Sequence, residues 1–300
     1  MKKKTYLFAL MAMVLTLGSC SDNENGIGGE TSKYITVSTS IGNMTRVATD
    51  EKGGQTFEEG DEISVYAWTG DATVAPETRE RVVNNAINKL TNGSWVSTPQ
   101  MLWKNNRDKH YFIGVYPISA ISDLSAGEYT FDETKQVESD LLVAVNKDGL
   151  SYNVDEQQTV PLTFTHVMAK LVVNLTYKNQ WGGIPTVEKV VVGNAAKEAT
   201  INYLTKVVTP STTAKEDFSL PEITENTKYV SVIIPQEEVT QLTIVIGGKN
   251  FVYDNGTPFK LESGKITTVN LEVGRDEIKL GDVKITNWED GSTFSGEALN

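Results

Sequence analysis

One thiol, two imidazoles and a surplus of carboxylates are the groups in this 300-residue chain that could do chemistry. The thiol, Cys20, has no second cysteine to pair with, so an intrachain disulfide is excluded. His110 and His166 are far apart in sequence, and neither sits in an HExxH or a paired-histidine spacing. A zinc site is therefore not expected, and no metal or other cofactor is assigned. No GxSxG elbow presents a serine nucleophile, and Gly53-Gly54 lacks the Lys-Ser/Thr that completes a phosphate loop. Carboxylate pairs abound in any acidic chain and name no reaction, so no catalytic residue is assigned and the chain is not read as an enzyme. His166 enters an apolar strand, in Phe164-Thr165-His166-Val167-Met168-Ala169-Lys170, and reads as a packed structural histidine.

The surroundings of Cys20 give its sulfur a different use. Lys2, Lys3 and Lys4 precede an apolar run from Tyr6 to Leu17, and small residues follow. That order makes residues 1–19 a secretory signal. The run is shorter than the roughly 20 residues that cross a bilayer core. Leu17-Gly18-Ser19-Cys20 resembles a bacterial lipobox, which implies a lipid-modified N-terminal cysteine. Each buried methylene would add about 0.8 kcal/mol to such an anchor. Ser21-Asp22-Asn23-Glu24 resembles the acidic tetrapeptides that send Bacteroidetes lipoproteins to the outer face of the outer membrane. Residues 20–33, polar and rich in glycine, read as a flexible tether. Without residues 1–19 the chain carries 24 basic and 39 acidic side chains, a net charge of −15. Such a surface repels phosphate backbones, so nucleic acid is not an expected partner.

The elements behind these residues are short alternating segments separated by Gly, Asn, Asp and Pro. Tyr34 to Ile41 places Ile35, Val37 and Ile41 on one face, with Thr39 between them. Further strands are expected at Ile63–Trp68, Tyr111–Tyr116, Leu141–Val145, Val160–Phe164, Leu171–Tyr177 and Val187–Val192. Others are expected at Tyr229–Ile234, Leu242–Ile246, Asn250–Tyr253, Thr267–Val273 and Val283–Thr286. The apolar spacing of Arg79–Leu90 predicts the one helix. Many short strands with frequent turns predict β-sandwiches. The polar stretch Asp155-Glu156-Gln157-Gln158 predicts a boundary, giving an N-terminal domain over 34–158 and a C-terminal domain over 159–300. Five tryptophans, Trp68, Trp95, Trp103, Trp181 and Trp288, would suit sugar stacking if exposed and core filling if not.

Several segments in order resemble the fimbrillin, or Mfa-like, family of Bacteroidales type V pilus lipoproteins. They are Gly60-Asp61-Glu62-Ile63-Ser64-Val65-Tyr66, Tyr116-Pro117, Phe164-Thr165-His166-Val167-Met168-Ala169-Lys170-Leu171, Ile234-Pro235-Gln236, Gly264 to Leu271, and Ile285-Thr286-Asn287-Trp288. The resemblance implies an all-β chain of two transthyretin-like β-sandwich domains in tandem. It also implies a structural or adhesive pilus subunit on the outer membrane or in the fimbrium, partnered by other pilin subunits and by a host or bacterial surface ligand. In such pili a protease removes the first strand, and an extended strand from another subunit replaces it.

By that resemblance Arg46-Val47 is the expected cut, in a polar, loop-like stretch that a protease could reach. The removable strand would carry Ile35, Val37 and Ile41. A C-terminal donor strand would carry Val283, Ile285 and Trp288, although Gly281 interrupts its alternation. The alternative is a surface lipoprotein that binds glycans and never polymerises.

Overall fold

The computed structural model describes residues 33–42, 56–156 and 158–288. The first half of the chain forms β1 (Thr36–Ile41), β2 (Glu62–Thr69), β3 (Val83–Thr91), β4 (Ser94–Thr98), β5 (His110–Tyr116), β6 (Gly127–Thr130), β7 (Leu142–Leu150) and β8 (Thr159–His166). Next come β9 (Ala169–Tyr177), β10 (Val187–Ala196), β11 (Glu198–Asn202), β12 (Val207–Pro210), β13 (Lys215–Ser219) and β14 (Glu222–Thr224). The last five are β15 (Lys228–Ile233), β16 (Gln236–Ile246), β17 (Lys249–Leu261), β18 (Lys265–Val273) and β19 (Ile278–Asn287). Two single turns of 3-10 helix, Thr78–Glu80 and Asn179–Trp181, are the only helical elements among the described residues. The chain is all-β, as expected.

Seven strands make the first sheet, in the order β1-β8-β7-β5-β2-β3-β4. Within it only β1 and β8 run parallel, in register from Thr36 against Thr159 to Ile41 against Phe164. The other sheets are β14-β15-β9-β18-β19, β13-β10-β16-β17 and β12-β11-β6.

The first sheet is covered on both faces at its central strands β2 and β5, which are correspondingly apolar along most of their length. On β2, Ile63, Val65 and Ala67 enter one cluster with Ile35, Val37, Phe112, Leu162 and Phe164. Tyr66 and Trp68, alternating with them, enter a second cluster with Ile113, Val143, Val173, Val190, Ile244 and Leu271. This second cluster therefore draws on both halves of the chain. Phe164 reaches its place only because residue 114 is glycine: a Cβ there would stand 2.6 Å from Phe164 Cζ.

Two expectations are corrected. Arg79–Leu90 is not a helix but a 3-10 turn followed by β3. Val83, Ala86, Ile87 and Leu90 mimic helical spacing because the β2–β3 pairing shifts register: Val65 faces Ala86, while Ala67 faces Val83. Asn85, at φ 55°, lies in that irregularity, and the extra residue resets the two-residue alternation.

The sheet change also falls later than the polar stretch suggested. β8 follows residue 158 but pairs with β7 and β1, so the chain leaves the first sheet at Val167-Met168. Asp155, Glu156 and Gln158 are polar because they lie between β7 and β8 and belong to neither strand. In addition, β6 of the first half pairs with β11 of the second, from Gly127 against Ile201 to Thr130 against Glu198.

Candidate functional site

β1 combines a free edge with a buried face. Its one sheet neighbour is β8, so it is an edge strand. Ile35 and Val37 are buried, at 1% and 6% exposure, whereas Ile41 is only half-buried. On the outward face hydroxyls meet across the pair: Thr36 Oγ1 lies 3.2 Å from Thr159 Oγ1, and Ser40 Oγ 3.1 Å from Thr163 Oγ1. The Gly42 amide donates to Phe164 O at 2.7 Å, which closes the strand.

The sheet curls until its two ends, β1 and β4, face each other along a seam. At the N-terminal end of β1 the seam is stitched by main chain: Ile35 N donates to Met101 O at 3.0 Å, and Trp103 N to Lys33 O at 3.1 Å. Farther along, Trp95 Nε1 donates to Thr39 Oγ1 at 3.0 Å. Beside this strut Phe57 packs edge-on against Trp95, Tyr116 and Phe164, with centroid distances of 5.3, 5.4 and 5.1 Å. A groove of about 1010 Å³ runs along β1 between Thr159 and Trp95, with Gly42 and Thr56 in its wall.

The sequence singled out Ile35, Val37 and Ile41; the structure places Val37 and Ile41 on β1 and Ile35 just before it. It pointed to neither Phe57 nor Trp95 as their neighbours, because that contact exists only once the sheet has curled. Cys20, Arg46 and Val47 lie outside the described residues. The expected donor residues sit elsewhere. Val283 and Ile285, each 37% exposed, lie on β19, which is paired with β18 of the same chain. Trp288 is buried, and its amide donates to Gly264 O at 3.0 Å.

The two histidines have separate surroundings. His166 Nδ1 is 2.8 Å from Asp140 Oδ1 and its ring stacks on Trp288. His110 is fully buried; its Nε2 accepts from Lys104 N at 3.0 Å, and its Nδ1 is 3.1 Å from Asp108 O. Burial lowers the His110 pKa, against the raising effect of Asp108, so the neutral ring is favoured. Among the described residues no group of three or more His, Cys, Asp or Glu side chains could hold a metal ion.

None of the five tryptophans is exposed. Trp68, Trp103 and Trp288 are buried, and Trp95 and Trp181 are half-buried with their indole N–H groups bonded. Among the described residues no helix is long and apolar enough to cross a membrane.

The profile of a family described as Fimbrillin-like matches residues 45–288. Fim1C of Bacteroides uniformis, named as a fimbrium subunit, is 24% identical over 97% of each chain. A Bacteroides ovatus protein assigned to cell adhesion has a similar crystal structure, with a TM-score of 0.65 and 17% identity over 86% of this chain and 98% of that one. A fimbrial protein from Bacteroides vulgatus superposes with a TM-score of 0.54 and 13% identity, covering 84% of this chain and 99% of its own. At such identities the structural likeness concerns the fold.

Proposed function

Because this chain belongs to the fimbrillin-like family, we propose that it is a subunit of a cell-surface fimbrium, joined to its neighbours by strand complementation. The observation that carries the reading is the place of β1, an edge strand whose apolar side chains fill a core. Such a strand can leave by breaking its pairing with β8 and the two main-chain bonds that join Lys33 and Ile35 to Trp103 and Met101. Its departure uncovers an apolar slot along Val160, Leu162 and Phe164. Burying one aliphatic side chain is worth about 1.5–3 kcal/mol, so an open slot favours refilling. An extended strand from another subunit supplies both the ladder bonds and the alternating side chains.

In this reading lipid on Cys20 holds the precursor at the outer membrane, and residues 20–33 tether it. A protease cuts between Arg46 and Val47, and β1 departs with Ile35, Val37 and Ile41. The role is structural and adhesive, with no catalytic step. Val283, Ile285 and Trp288 could serve as donor residues only if β19 peeled away from β18. Their engagement at home supports an accessory, tip or anchor place over a shaft place.

The test is the intact mass and N-terminal residue of the protein recovered from the cell surface. A start at Val47 is expected. A lipid-modified start at Cys20, with no shorter species in assembled fimbriae, would overturn the exchange of β1.

A further inference from the structure

Ahead of β1 the chain joins residues 101–103 in a short antiparallel pairing. Tyr34 bridges Leu102, Ile35 N donates to Met101 O at 3.0 Å, and Trp103 N donates to Lys33 O at 3.1 Å. Continued by one step, such a pairing brings residue 32 beside Lys104 and points the chain before Lys33 along the loop from Lys104 to Lys109. That loop is firmly held. Lys104 N donates to His110 Nε2 at 3.0 Å, and Asn105 Oδ1 accepts from Arg107 N at 2.9 Å and Asp108 N at 2.8 Å. Lys104, Arg107 and Lys109 are exposed on it, and Lys33 is exposed beside it. Asp108 is its one acid and accepts from Asn105 Nδ2. Lys104 Nζ donates to Thr69 Oγ1 and Lys109 Nζ to Asp148 O, and among the described residues none of the four bases forms an ion pair. Lys104 also borders a cleft of about 780 Å³, in whose wall Val74 and Leu102 are 59% and 42% exposed.

We propose that this basic end of the first sheet is the docking surface for the acidic segment just before it in the same chain, residues 22–30. Asp22, Glu24 and Glu30 are the charges of that segment, it holds no base, and Ile27 is its one apolar side chain. Glu30 is three residues from Lys33, about 10 Å of extended chain, so it reaches the loop directly. Ile27 suits the exposed pair Val74 and Leu102. Single charge pairs on a surface are weak. Here the chain itself delivers the acids, at an effective concentration near millimolar, so several weak pairs act together. A docked segment gives β1 a second hold at its start, beyond the ladder with β8, and salt weakens that hold. The inference needs neither lipid on Cys20 nor a cut after Arg46.

The test uses the chain from residue 20 onward with Cys20→Ser, and reads the rate at which a glutamate-specific protease cuts after Glu24 and Glu30. A triple variant, Lys104→Gln, Arg107→Gln and Lys109→Gln, should be cut at least fivefold faster than the parent. A second triple variant, Lys189→Gln, Lys249→Gln and Lys260→Gln, has the same net charge and should be cut at the parental rate. The difference between the first variant and the parent should vanish in 0.5 M sodium chloride, about the range where screening falls within a few ångströms. Amide protection in β9 and β18 should stay constant throughout, which reports an intact fold.

Equal cutting of the parent and the first variant at low salt would overturn the proposal. So would equal acceleration in both variants, which would trace the effect to net charge. If the first variant lost a binding to phosphatidylglycerol vesicles that the parent shows, with cutting unchanged, the basic end would face a membrane and the proposal would fall. The absence of lipid or of a cut after Arg46 alters none of these readings.

Discussion

The imidazole of His166 lies flat on the indole of Trp288, with ring centroids 4.2 Å apart and planes 8° from parallel. His166 is the last residue of β8, and Trp288 immediately follows β19. The pair therefore ties the end of the first sheet to the final described strand. Asp140 fixes the imidazole, and Lys170 Nζ stands 5.7 Å from the indole centroid.

Trp288→Ala removes the buried half of this contact. Loss of a large aromatic from a packed site costs about 3–5 kcal/mol. The expected result is lower stability in urea with β19 amides exchanging fastest. Uniform acceleration across the first sheet would show instead that the pair does not act on β19.

Val37→Asp should detach β1 selectively. A carboxylate buried in this apolar cluster is strongly disfavoured. Hydrogen exchange should rise in β1 and along the β8 edge and stay unchanged in β9, β18 and β10. Collapse of protection throughout would contradict the separability of the strand.

Thr39→Val keeps shape and removes the acceptor of Trp95 Nε1. An indole N–H left without a partner costs about 1–3 kcal/mol when it is buried, and less at this half-buried site. A shift in tryptophan emission together with faster exchange at Ser94–Thr98 is expected. Thr39→Ser, which retains the hydroxyl, should restore most of both signals.

His110 gives the fold a predictable weakness toward acid. Its folded pKa is depressed by burial, and the unfolded value is about 6.5. The unfolded chain thus binds the extra proton first. The stability contributed by the neutral ring is complete above about pH 6.5 and is lost as the pH falls from there toward the folded pKa. Urea midpoints measured between about pH 7.5 and 5 should decline, and His110→Gln should flatten that part of the slope.

Gly127→Ala tests the pairing of β6 with β11. A Cβ at residue 127 would stand 2.5 Å from Tyr203 Cε2, too close without a shift. Overpacking of this kind costs about 1–3 kcal/mol. Exchange should quicken in both Gly127–Thr130 and Glu198–Asn202. Quickening in β6 alone would mean that Tyr203 yields without disturbing β11.

Much of this fold was legible because strands with a buried face announce themselves. On β9, Ala169, Leu171, Val173 and Leu175 are buried with half-buried residues between them. β3 was misread because a bulge gives alternating residues a helical spacing. β14 could not be read at all, since its three residues are all exposed and owe their conformation to β15. At the site, Ile35 and Val37 were visible through local alternation. The strut from Trp95 and the plug of Phe57 were not, because each depends on strands remote in sequence that meet only when the first sheet curls.

The pairing of β6 with β11 has a mechanical side. Other cross-ties accompany it: Phe131 N donates to Lys197 O at 2.8 Å, Tyr203 N to Leu124 O at 2.9 Å, and Lys206 Nζ to Thr165 Oγ1 at 2.9 Å. Tension applied to one half would reach the other through this lattice as well as through the peptide chain at Val167-Met168. A unit cross-braced in this way stretches little, so a filament made of such units would bend and give way at its joints.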